Sequence, residues 1–147
     1  MLKKKVNKIL LFVLFPFVLS AQIPLWGTSA LAGFTGGYSD GLQFLDQYQL
    51  HNRSHDTEWH NYRLASRIAT VGIGLELYGY SDNFWDGVKK GFLASAIFWI
   101  TYDMGVNIGQ KYPVFRVSDK TNSFMEPLSF VGIKLVILAI AVIINIL

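Results

Sequence analysis

The sequence predicts an all-α fold: a small integral membrane protein in which a signal-like leader precedes a helical bundle. Three observations predict it. Residues 128–147 read LSFVGIKLVILAIAVIINIL, a run of aliphatic residues in which Lys134 is the sole charge. As a helix such a run reaches about 30 Å, the hydrocarbon thickness of a bilayer. Residues 1–22 place Lys3, Lys4, Lys5 and Lys8 before an apolar stretch from Ile9 to Leu19 and then the small residues Ser20 and Ala21, the layout of a secretory signal peptide. Finally, 52% of the 147 residues are hydrophobic and only 16% are charged, against about a quarter charged in soluble domains.

The elements follow in order. Residues 1–21 are a signal peptide or an uncleaved anchor. Pro16 interrupts the apolar stretch, which is too short to span comfortably. Residues 22–63 form an exported segment with short helices. Within it Gly33, Gly37 and Gly41 lie four apart, which on a helix aligns them on one face. The turn chemistry of Tyr38-Ser39-Asp40-Gly41 favours a glycine-rich turn instead. A short helix follows from Leu42 to Leu50, and then the most polar stretch, 51–63. Residues 64–147 form the membrane-associated helical domain. Its first helix, 64–80, carries Arg67 and Glu76 and is expected to lie at the interface or pack within the bundle. Residues 81–86 make a turn with Trp85 at headgroup level. Residues 91–109 and 128–147 are the two strong spans. Gly87, Gly91 and Ser95 form one ladder of small residues, and Gly105 and Gly109 another; such ladders suit helix packing in lipid.

Charge sets the expected topology. Lys111, Arg116, Lys120 and Lys134 surround the last loop, which is then cytoplasmic, leaving residues 22–88 on the exported, periplasmic side of the inner membrane. Beyond Ala21 nine basic residues nearly balance ten acidic ones, so no basic stripe for nucleic acid is present. With no cysteine, disulfides, thiolate metal sites and cysteine nucleophiles are excluded.

Two groups of residues could carry chemistry. His51, His55 and His60 are the chain's histidines, with Asp56 and Glu58 among them. His51, His55 and Glu58 have a spacing that one helix could turn toward a divalent metal. Asp103 and Asn107 fall within a span, where an ionisable group calls for a partner. Arg63 and Arg67 are the expected partners, pinning helix 64–80 to helix 91–109. The order of His60, Glu76 in GLELYGYS, and Asp103 and Asn107 in YDMGVNIG resembles a VanZ-like pattern over residues 60–109. The chain departs from it in lacking an Asp-Lys pair before the histidine and a helix between histidine and glutamate. The resemblance implies no defined activity.

No nucleophile elbow, phosphate-cradling loop or dinucleotide fingerprint is present. The expected function is therefore a non-enzymatic multi-pass protein of the bacterial cell envelope, without cofactor. It would scaffold or anchor a protein partner, or a second copy of itself, in the lipid bilayer. The alternative is a membrane-embedded enzyme or metal-dependent protein using His51, His55, His60 and Asp103.

Overall fold

The computed structural model describes residues 25–51, 53–116 and 131–147. The expected leader lies outside the described residues, as does most of the loop before the last helix. Among the described residues the chain forms four helices and no strand. Helix α1 runs Leu25–Phe44 and continues as a π-helical turn, Leu45–Leu50. Helix α2 is Asp56–Tyr80, α3 is Phe84–Gly109 and α4 is Val131–Ile146.

The glycine ladder is a helix, not a turn. Mid-helix glycine costs about 1 kcal/mol relative to alanine, and close packing offsets that cost here. A side chain at Gly37 would strike the Tyr102 carbonyl, and one at Gly109 would sit 2.7 Å from the Tyr38 carbonyl oxygen. Helices α1 and α3 thus cross backbone to backbone. Gly33 lies against Phe98 and Thr101, Gly37 against Tyr102, and Gly41 against Val106 and Gly109, an ascending order on both helices that makes them parallel. Helix α2 runs antiparallel to α1, with Trp59 beside Ser39, Ser66 beside Ala32 and Glu76 beside Thr28. Helices α2 and α3 meet near their connecting turn, where Leu77 approaches Gly91 and Ser81 approaches Gly87. Helix α1 packs against both. Helix α4 lies antiparallel along the far side of α3, with Lys134 at Asp103 and Asn145 at the Lys89 carbonyl.

Both long helices begin earlier than expected. Asp56 and Glu58 occupy the first turn of α2, where carboxylates favour the positive end of the helix dipole. This turns eight residues of the polar stretch helical, so the boundary expected at residue 63 falls inside α2. Helix α3 starts at Phe84 because the Asn83 side chain accepts from the Asp86 amide at 3.0 Å, a capping bond. Side-by-side packing puts α1 and α2 at the same level as α3.

Helices occupy both expected spans, but among the described residues no helix is long and apolar enough to cross a membrane. Helix α4 is described over 16 residues, about 24 Å. Helix α3 has Lys89 and Lys90 near its start and Asp103 and Asn107 near its end.

The interior is built from small side chains. Ala32, Ala69, Ala94, Ala96 and Ala141 are buried, with Leu42 and Leu45 the two larger apolar residues among them, and the largest side chains with essentially no exposure are Ser29 and Ser39. Hydroxyls inside the helices donate to carbonyls one turn back: Ser29 to Leu25 and Thr35 to Leu31, both at 2.7 Å, and Thr101 to Ile97 at 2.9 Å. Large side chains point outward instead, among them Val71, Leu75, Tyr78, Phe84, Trp85, Ile143 and Ile146. Helix α4 is the extreme case. Its buried positions include Lys134, while Leu135, Val136, Ile140, Ile143 and Ile146 are exposed.

Candidate functional site

The polar groups gather where the C-terminal ends of α1 and α3 meet the start of α2. Asp40 is the hub. One carboxylate oxygen accepts from Arg63 at 2.5 Å and the other from the Tyr102 hydroxyl at 2.5 Å. Arg63 also donates to Gln43 at 2.8 Å and lies 4.8 Å from the centre of the Trp59 ring. Ser39 donates to the Trp59 carbonyl at 2.8 Å. Tyr38 and Tyr62 meet edge to face, 4.6 Å between ring centres. One residue from each of three helices thus meets at a single carboxylate. The helical register explains it: Asp40 and Gln43, three apart, share the face of α1 turned to Arg63.

A second knot fastens the π-helical turn to the start of α2. Buried Asp46 accepts from the His55 amide at 2.8 Å and from Ser54 at 3.2 Å, and its other contact is His55 Nδ1 at 2.6 Å. Burial opposes ionisation of Asp46, but the hydrogen bonds from His55 and Ser54 outweigh it and hold the carboxyl below its ordinary range. A third contact joins α3 to α4, where Asp103 pairs with the buried Lys134 ammonium, which lies 4.9 Å from the centre of the Trp99 ring. Between these helices is a cavity of about 20 Å³, bordered by Asp103, Asn107, Arg116 and Lys134. That space suits about one water molecule, not an organic substrate.

The expected residues are therefore rearranged. Arg63 pairs with Asp40, and Asp103 with Lys134. The Arg–Asp tie between α2 and α3 does not form, because α1 lies between Arg63 and α3 and supplies the nearer carboxylate. Arg67 is exposed and makes no ion pair among the described residues. Asn107 donates to the carbonyls of Val114 and Arg116, at 2.8 and 3.0 Å, and so folds the loop back onto α3.

The metal alternative is also corrected. His51 is exposed, at φ 50°, with its ring on the Gln47 carbonyl. His55 is engaged by Asp46, and Glu58 is exposed one turn into α2. A helix break at residues 51–55 separates residues that a single helix would have aligned. Among the described residues no group of three or more potential ligands could hold a metal ion.

Of the small residues, Gly105 and Gly109 lie in the tight crossing with α1. Gly87 and Gly91 have looser neighbours, at 3.4 and 3.9 Å from an added Cβ. Ser95 is exposed and donates back to the Gly91 carbonyl. His60 is exposed 3.9 Å from Asp56, while Glu76 accepts from Thr28 at 2.7 Å four turns further along α2. The residues behind the VanZ-like resemblance therefore do not converge.

Asp40, Gln43, Asp46 and Tyr102 were not singled out from the sequence. Reading the glycine ladder as a helix would have drawn attention to Asp40 and Gln43. Nothing local marks the pairing of Asp46 with His55. Both Asp40 oxygens are engaged, which ties three helices together at one carboxylate. No family model matches the chain, and neither a curated protein nor a solved structure matches it.

Proposed function

We propose that this chain is a non-enzymatic scaffold of the bacterial envelope, embedded in the inner membrane, whose polar end holds a protein partner. One observation carries the reading. Residues 25–35 of α1, 68–80 of α2, 91–102 of α3 and 135–147 at α4 hold a single charged residue, Glu76, and that residue is turned to Thr28 of α1. Packed side by side, these runs form one belt with large apolar groups facing outward and small ones inward. In water that arrangement exposes what the hydrophobic effect would bury. In lipid it is favourable, since helices there associate through small residues and hydroxyls rather than through apolar burial.

Crossing by any one long apolar helix is not needed for this reading; the belt belongs to the bundle. Exposed Trp26, Phe84 and Trp85 lie at one margin, where aromatic rings favour the headgroup level. Beyond the other margin lie the Asp40 and Asp46 knots, a rigid polar platform suited to presenting a surface to a partner.

Alkaline carbonate washing followed by flotation tests the membrane part. The protein is expected to float with vesicles and to need detergent for release. A chain that is monodisperse in plain buffer contradicts it. Crosslinking in native membranes tests the scaffold part, through recovery of one defined partner or a second copy. A strictly monomeric, partner-free protein contradicts that part alone.

A further inference from the structure

We infer that the lipid this protein fits is a thin bilayer, built from short acyl chains with phosphate headgroups. The inference rests on the membrane reading above and deepens it, by naming the thickness that the belt requires.

The belt has charged residues at each margin, and α3 gives its height between them. On α3 the charge-free run lies between Lys90 and Asp103, thirteen residues apart, or about 20 Å at 1.5 Å per residue. On α2, Arg67 and the helix end at Tyr80 are also thirteen residues apart, about 20 Å, and the one charge between them, Glu76, is turned inward to Thr28. The margins coincide in space. Lys90 Nζ donates to the Tyr80 carbonyl at 2.5 Å, which ties the two lower limits together. At the upper limit, Gly36 faces both Ser66 and Tyr102, the residues preceding Arg67 and Asp103. Helix α4 runs along this interval, with buried Lys134 at Asp103 and Asn145 at the Lys89 carbonyl, and continues past Lys134 to Val131.

A typical hydrocarbon core is about 30 Å thick, roughly 10 Å more than the belt. Cations stand at both limits: exposed Arg67 at one and Lys89 at the other, where the neighbouring Lys90 is held by Asp86 at 2.6 Å. This is the complement of two planes of lipid phosphate. Long basic side chains recover part of the mismatch by snorkelling, and the bilayer must thin to supply the rest.

The experiment reconstitutes the full chain into phosphatidylcholine vesicles with acyl chains of 14, 18 or 22 carbons, a series that spans thin to thick cores. Flotation and thermal unfolding are followed in each. The expected melting temperature is highest at 14 carbons and falls by about 5–10 °C toward 22. Arg67→Leu, which removes a cation with no ion pair among the described residues, should raise the upper margin by one turn and move the optimum to longer chains. A melting temperature that is flat across the series, or highest at 18 or 22 carbons, overturns the inference while leaving the membrane reading intact. Protein that fails to float with any of the three vesicles overturns both.

Discussion

Asp40 shows how much one side chain carries. It is the point where Arg63 of α2 and Tyr102 of α3 meet α1. Asp40→Ala is expected to destabilise the bundle by about 1–2 kcal/mol, the range for hydrogen bonds to charged groups that keep some contact with solvent. Arg63→Ala added to it should cost little more, because the two act as a unit. Chemical unfolding of both single variants and the double variant in detergent checks this; additive losses would show that they act apart. Asp46 adds a pH dependence. Its carboxyl titrates lower in the folded chain than in the unfolded chain, so its contribution is complete above the ordinary carboxylate range, about pH 4. That contribution is lost as the pH falls through the lower, folded value. Thermal melts from about pH 6 to pH 2 should therefore show an acid loss of stability that is smaller in Asp46→Asn.

At the scale of elements, glycines that look alike in the sequence divide by what surrounds them. Gly37→Ala would press a methyl group into the Tyr102 carbonyl, and a loss of about 1–3 kcal/mol is expected from overpacking. Gly79 has nothing within 4 Å of an added Cβ, so Gly79→Ala should be neutral or stabilise by up to about 1 kcal/mol. Thermal melts of the two variants separate these signs. The attachment of α4 to α3 makes a second test. A double-mutant cycle on Asp103 and Lys134 should show coupling of about 1–3 kcal/mol, and one on Asp103 and Arg67 none. The sequence revealed that these residues needed partners, but not which ones. Partner choice depends on α1 lying between α2 and α3. That placement followed from a glycine ladder whose Ser-Asp-Gly ending reads as a turn until its packing partner is known. The helical character of 64–80, of 91–109 and of the described part of 128–147 was legible from periodicity and composition. Their true starts were not, because Asn83 and the acidic first turn of α2 are local signals inside stretches dominated by polar residues.

For the molecule as a whole, side-chain size is inverted over most of the described residues relative to a protein folded in water: alanine, glycine and serine lie inside, while isoleucine, aromatic rings and most leucines face outward, with Leu42 and Leu45 the buried exceptions. The sequence carried the apolar content that points this way. It did not reveal how the apolar runs of the four helices would align side by side, since that depends on the register between helices. The absence of cysteine from the chain permits a direct test. Single variants Val71→Cys and Ile143→Cys place a thiol on the outward face of the belt, and Gln47→Cys places one beyond it. The rate of reaction with a permeant maleimide is then measured in intact membranes. Thiols in lipid ionise poorly, so the two belt positions are expected to react at least about tenfold more slowly than position 47, and to catch up once the chain is unfolded. Equal rates at all three positions in intact membranes would contradict a lipid-facing belt.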